Sequence, residues 1–306
     1  MADAFLYLIE FILGFVLLVK GSDVFIDGAA GLAKKIGVSE HMIGLTLVAF
    51  ATSLPELAVS SIASFNKQEG IAIGNVIGSN IANICLVLGI AAIIMQLKTT
   101  KETTRDAIFM TGVTFLLFGF IAIDKKIDRY DAIIFLIIYA FFVYYLYKTR
   151  TGSNEMGIED KGGLIKDGLF VIFGSVGVVL GAHFLVKSGV GVAEILGISP
   201  LVIGLTMIAF GTSLPELASS ITAAIKKKHG IAIGNVIGSN IINILLVLGV
   251  SGSINPIGAE EKLYITAPFL LFVSLIMILF VKKKIGRKHG IFLLSLYACF
   301  IALLFL

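Results

Sequence analysis

The chain has 306 residues, of which 58% are hydrophobic and 14% charged, with a net charge of +4 at pH 7 and a mean hydropathy of +1.01. Soluble domains carry about 25% charged residues, so this composition excludes a water-soluble globular protein and implies an integral membrane protein. The small positive excess sits in short loops, which points to membrane topology and to no nucleic-acid partner.

Apolar runs near the roughly 20 residues needed to cross hydrocarbon fall at 5–28, 42–65, 71–96, 106–123, 130–147, 165–189, 200–225, 231–254, 263–281 and 290–306. They predict an all-α protein of ten transmembrane helices. The first run lacks a basic start and continues past Lys20 and Asp23, so it reads as a mature helix and not as a signal peptide. Lys20 and Asp23, three residues apart, are expected to pair near the membrane edge, and Asp27 and Lys187 to be interfacial. Cys85 and Cys299 both lie in apolar runs and read as small hydrophobes. Residues 148–164 are polar and read as a cytoplasmic linker between one repeat at 1–147 and another at 165–306.

With alternate loops on opposite sides, the loops after the odd-numbered spans hold 17 Lys and Arg residues against six in the others. The excess of positive charge belongs inside, which places both termini outside the cell membrane.

Sliding the sequence against itself by 160 residues aligns 21–90 with 181–250 without a gap, with 39 of 70 positions identical. The matches concentrate in 41–60 and 71–90, where 31 of 40 agree, against 8 of 30 elsewhere in the window. Each half holds five spans, so an odd number of crossings turns the second copy over: the repeats are expected to be inverted. Inverted repeats with broken helices at the midplane are an arrangement of secondary transporters.

The matching blocks carry the polar residues. "AFATSLPELAVS" at 49–60 returns as "AFGTSLPELASS" at 209–220, and "IAIGNVIGSN" at 71–80 is copied unchanged at 231–240. Glu56 and Glu216 lie near mid-span, where a charge costs about 2.5 to 3.5 kcal/mol on insertion scales. Pro55 and Pro215 lack an N–H and should break their helices, freeing carbonyls near 49–52 and 209–212. Thr52 and Ser53 stand beside Glu56, and Thr212 and Ser213 beside Glu216. The partner blocks add Ser79 and Asn83, and Ser239 and Asn243, each pair one turn apart. Asn75, Asn80, Asn235 and Asn240 read either as further oxygen ligands or as interhelical hydrogen-bonding groups. Gly74, Gly78, Gly234 and Gly238 have the spacing that lets helices approach closely. All the donors are hard oxygens without His or Cys, which suits Ca²⁺ or Na⁺ and disfavours zinc and copper. Two ionised glutamates balance one Ca²⁺, two Na⁺ or two protons.

At these residues the sequence resembles the sodium/calcium exchanger branch of the Ca²⁺/cation antiporter superfamily, whose two repeats carry "G-T-S-L-P-E" and "G-N-x-x-G-S" motifs. The resemblance runs over essentially the whole chain. It implies ion ligands at Ala49 (carbonyl), Thr52, Ser53, Glu56, Ser79 and Asn83, and at Ala209 (carbonyl), Thr212, Ser213, Glu216, Ser239 and Asn243. It also implies that the first and sixth helices slide across a rigid core. Two departures stand out: Ala51 replaces the usual glycine, and Asn243 occupies a position where close microbial relatives often carry Asp.

The expected function is therefore Ca²⁺ for Na⁺ antiport, with H⁺/Ca²⁺ exchange as the alternative and a cation channel third. No enzyme motif occurs in the spans, and no cofactor is expected beyond the transported Ca²⁺, Na⁺ and, in the alternative, H⁺. The lipid bilayer is the surrounding partner, and one chain suffices to build the site.

Overall fold

A left-handed glycine ends the first helix. In the computed structural model, which describes residues 2–150, 161–195, 209–258 and 263–304, α1 (Ala2–Ile36) stops where Gly37 takes φ 69° and the Val38 N–H reaches back to the Ala33 carbonyl at 3.0 Å. Only glycine adopts that backbone without strain. Ser39 then caps α2 (Glu40–Thr52) by accepting from the Met42 N–H at 3.1 Å. Ser53 interrupts the chain, and α3 (Leu54–Phe65) starts with Pro55 in its first turn, where a missing N–H is harmless. The two helices meet at a bend of 45°.

The remaining helices are α4 (Glu69–Ile94), α5 (Lys101–Asp124), α6 (Arg129–Arg150), α7 (Lys161–Ile195), α8 (Ala209–Thr212), α9 (Leu214–Ile225), α10 (His229–Ile254), α11 (Leu263–Val281) and α12 (Arg287–Leu304). Most run a few residues past the predicted apolar stretches, because charged side chains at helix ends hydrate without leaving the helix. Residues 151–160 of the expected linker, and 200–208 of the seventh expected span, lie outside the described residues. Among the described residues, six helices are long and apolar enough to cross a membrane, or seven with α2 and α3 taken as one broken span. The other three expected spans, 5–28, 200–225 and 290–306, each include residues that are not fully described.

Two short β contacts tie the halves together. Strands β1 (Lys126–Ile127) and β2 (Ile257–Gly258) pair antiparallel, with Ile127 opposite Ile257, and an isolated bridge joins Leu97 to Ile285. In each contact, the segment following α4 or α10 meets a turn from the other half of the chain.

Central and peripheral helices differ sharply in burial. The most apolar window of α10 is 94% buried and that of α4 72%, against 22% for α6 and 28% for α7. Large apolar side chains such as Phe15, Ile123, Phe141 and Phe173 are exposed on the outer helices, as expected of a lipid-facing surface. Helix α10 also lies close against α2: a Cβ at Gly234 would come 2.5 Å from the His41 carbonyl oxygen, and one at Gly44 would come 2.6 Å from that of Ile231. The expected close approach at Gly234 and Gly238 is therefore made, whereas no described atom lies within 4 Å of a Cβ built on Gly74 or Gly78.

Helices α1 and α7 form a separate pair. Gly21 packs on the backbone of Gly177 and Val178, and Gly174 on that of Phe25. Lys35 and Asp167 form an ion pair at 2.8 Å, and Lys187 pairs with Glu10. Asp23 does not pair with Lys20 as expected: it and Asp27 take Lys226, at 3.4 and 2.8 Å. A tertiary contact between residues about 200 positions apart outweighs the local one because α9 docks against the α1–α7 pair, with Leu214 and Ala218 on Leu18, Val178 and Ala182.

Candidate functional site

The broken helices and their partners converge on one buried pocket. Thr52 ends α2, Ser53 is the break, and Glu56 lies in the first turn of α3. Thr212, Ser213 and Glu216 hold the same places around α8 and α9. Ser79 and Asn83 face them from α4, and Ser239 and Asn243 from α10. Asn83 and Asn243 each open a π-helical turn, at Asn83–Val87 and Asn243–Val247, and a third spans Gly44–Val48. Such turns widen a helix locally and are frequent at functional sites.

The side chains meet across the two halves. Ser53 donates to Glu216 Oε1 at 3.0 Å, an atom that also accepts from Ser239 at 3.4 Å. Ser79 donates to Glu56 Oε1 at 3.3 Å. Asn243 donates through Nδ2 to Asn80 Oδ1 at 3.0 Å. Glu56 and Glu216 are both 0% exposed, and among the described residues no Lys, Arg or His forms an ion pair with either.

Several buried polar atoms of the pocket have no hydrogen-bond partner among the described residues: Glu56 Oε2, Glu216 Oε2, Ser213 Oγ, Asn243 Oδ1 and both amide atoms of Asn83. Leaving such atoms unpaired costs about 1 to 3 kcal/mol each, more if charged. Their convergence is the signature of a polar ligand. The donor chemistry is carboxylate, hydroxyl and amide oxygen, which fits a hard cation. No cluster of three or more His, Cys, Asp or Glu exists among the described residues, so the pocket offers two carboxylates and otherwise neutral oxygen.

The structure brings together ten of the twelve sequence-predicted side-chain and backbone positions through side chains: Thr52, Ser53, Glu56, Ser79, Asn83, Thr212, Ser213, Glu216, Ser239 and Asn243, all buried. The two carbonyl positions differ from each other. The Ala49 carbonyl is not freed by the break: it accepts from the Ser53 N–H at 3.0 Å, with the Thr52 hydroxyl 3.3 Å away but nearer to Asn235 Oδ1, because the last turn of α2 closes on it before the chain bends. It keeps only the capacity of its remaining lone pair. In the second half the Ser213 N–H turns instead to the Phe210 carbonyl, at 3.2 Å.

Residues whose part was open or unforeseen also appear. Asn75 and Asn235 make interhelical hydrogen bonds, and Ser60 and Ser220 anchor them at 2.9 Å each. The two serines share the 160-residue offset of the repeat, which is the signal that marks them in the sequence. Away from the pocket, His41 and Asp106 form a buried pair at 2.8 Å that nothing in the repeat pattern announces.

A polytopic helical membrane protein, with a buried pocket of two unpaired carboxylates shared between the halves of a duplicated chain, is the class that fold and site define. The sequence model of the family described as sodium/calcium exchanger protein matches residues 6–148 and 167–306, and the chain belongs to that family. It is similar to sodium/calcium exchanger MaX1 of Methanosarcina acetivorans, 37% identical over 96% of this chain and 97% of the relative. It is also similar to inner membrane protein YrbG of Escherichia coli, 33% identical over 96% and 95%. Among solved structures it resembles the sodium-calcium exchanger NCX_Mj soaked with 2.5 mM Na⁺ and 0.1 mM Ca²⁺, with a TM-score of 0.89 and 37% identity over 97% of this chain and 98% of that one.

Proposed function

We propose that the protein is an antiporter that exchanges Ca²⁺ for Na⁺ across the cell membrane by alternating access at the two-glutamate pocket. The observation that carries this reading is the burial of Glu56 and Glu216 with, among the described residues, one unpartnered carboxylate oxygen apiece and no basic side chain paired with either. A buried carboxylate in that setting needs a cation or a proton. The ligands are Thr52, Ser53, Glu56, Ser79 and Asn83 from the first half and Thr212, Ser213, Glu216, Ser239 and Asn243 from the second, with the carbonyls of Ala49 and Ala209. A charge of −2 accommodates one Ca²⁺ or two Na⁺, and ions that share one pocket displace each other. Displacement is what couples the fluxes.

The chain forms ten membrane helices as two inverted five-helix repeats, at 1–147 and 165–306, with both termini outside and 148–164 in the cytoplasm. The reciprocal β contacts, Leu97 with Ile285 and Ile257 with Ile127, favour this arrangement, since each half contributes the same two segments in exchanged roles. The α1–α7 pair is the moving part. One chain contains the whole site.

The test is flux in vesicles holding the purified protein. Vesicles loaded with Na⁺ and diluted into Na⁺-free medium should accumulate Ca²⁺, while vesicles without a Na⁺ gradient should not. Uptake that follows a pH gradient and ignores Na⁺ would make the protein an H⁺/Ca²⁺ exchanger; uptake that needs no counter-ion would make it a channel.

A further inference from the structure

Ten oxygen-bearing side chains line the pocket, but a hydroxyl is a cation ligand only when its proton points elsewhere. Thr52 and Thr212 each carry one proton and two lone pairs. The Thr52 hydroxyl has Asn235 Oδ1 at 3.2 Å as its nearer acceptor, with the Ala49 carbonyl of its own helix at 3.3 Å, and the Thr212 hydroxyl donates to Asn75 Oδ1 at 3.1 Å. Each bond to an asparagine crosses from one half of the chain to the other.

The orientation of both amides is fixed by their other hydrogen bonds. Asn75 Nδ2 donates to the Glu56 carbonyl at 3.4 Å and to Ser60 Oγ at 2.9 Å. Asn235 Nδ2 donates to the Glu216 carbonyl at 3.3 Å and to Ser220 Oγ at 2.9 Å. A main-chain carbonyl only accepts, so turning either amide over would set two acceptors face to face. Oδ1 must therefore face the threonine, and an amide oxygen can receive a proton but not give one. The Ala49 carbonyl and the carboxylates of Glu56 and Glu216 in the same pocket are the competing acceptors for these protons. A cation held by those carboxylates repels a proton pointing at it.

We infer that Asn75 and Asn235 are positioning residues for ion binding: each draws the hydroxyl proton of the opposite half's threonine away from the pocket, so that Thr212 and Thr52 present lone pairs to the cation. The same three-bond pattern in both halves, with corresponding distances agreeing within 0.1 Å, means the device is built twice. It rests on the ligand role proposed for the two threonines. It also gives the interhelical asparagines a role beyond packing, because each half's ligand is oriented by the other half's helix.

A double-mutant cycle on Ca²⁺ binding to the purified protein tests this. Asn75→Leu keeps the bulk and removes the acceptor, and should weaken Ca²⁺ binding about tenfold, the scale of one lost hydrogen bond at a charged site. Thr212→Val should do the same. The double variant should bind no more weakly than the weaker single one, because Asn75 acts through Thr212; losses that multiply would overturn the inference. Thr212→Ser, which retains the hydroxyl that Asn75 orients, should keep Ca²⁺ affinity at or above about one third of the wild-type value, and a loss equal to that of Thr212→Val would also overturn it. Thr52 and Asn235 supply an independent cycle, readable where Asn75→Leu fails to fold. Wild-type protein that binds no Ca²⁺ in the same assay would instead sink the proposed function, which separates the two failures.

Discussion

At the scale of single residues, Glu56 and Glu216 dominate. Each is fully buried with one oxygen unpartnered, and removing a unit charge beside a divalent ion forfeits about 4 kcal/mol or more at an effective dielectric near 20 and 4 Å separation. Glu56→Gln and Glu216→Gln are each predicted to weaken Ca²⁺ binding by on the order of 10³-fold and to abolish uptake. The melting temperature without ions should hold or rise, since a neutral amide is easier to bury than an unpaired carboxylate. Melting curves and uptake on the same preparations check both parts. Asn243 invites the opposite change. Its Nδ2 donates to Asn80 and its Oδ1 has no partner, so Asn243→Asp adds a third charge to the pocket at the loss of one hydrogen bond. Half-saturation by Na⁺ should fall about threefold or more, measured as the Na⁺ dependence of Ca²⁺ release; an unchanged value would show that the side chain faces away from the ions. The carboxylates and hydroxyls were legible in the sequence because polar residues in oil need a reason, and duplication doubled the signal. The direction of each hydrogen bond was not, because it depends on which helices face each other.

At the scale of elements, the break between α2 and α3 sets the site. Pro55 falls in the first turn of α3, where it costs little, yet it prevents α2 from running straight through. Pro55→Ala is predicted to leave stability unchanged or raised while reducing Ca²⁺ uptake at least about tenfold, because a continuous helix would remove the 45° bend that places Thr52 and Glu56. Full transport by a stably folded Pro55→Ala protein would show that the bend is incidental. Helix positions could be read from apolar runs, and this break from its proline. The π-helical turns could not: "GLTLV" and "NILLV" contain nothing that separates them from ordinary helix, and the extra residue per turn is imposed by packing. The pairing of Asp23 with Lys226 was hidden for the same reason, since the local alternative at Lys20 looked sufficient on sequence grounds.

At the scale of the whole molecule, glycine packing and the ion pairs Lys35–Asp167 and Glu10–Lys187 join α1 to α7, whereas Lys226 ties α1 to the end of α9. If α1 and α7 move together over the core, cross-links within the pair are harmless and cross-links to the core are not. In a Cys299→Ala background, a thiol cross-linker between Lys35→Cys and Asp167→Cys should leave exchange intact, and one between Asp27→Cys and Lys226→Cys should stop it until the linker is cleaved. The duplication told which residues are equivalent; it did not tell which ones touch, because docking the two halves requires burial over surfaces that one sequence does not reveal. The shared pocket between those halves is the central claim, and equilibrium Ca²⁺ binding to the purified protein tests it most directly. Ca²⁺ should bind with competition from Na⁺, and both Glu56→Gln and Glu216→Gln should lose that binding. Binding that survives in either glutamine variant, or that Na⁺ fails to displace, would contradict a single site built by both halves.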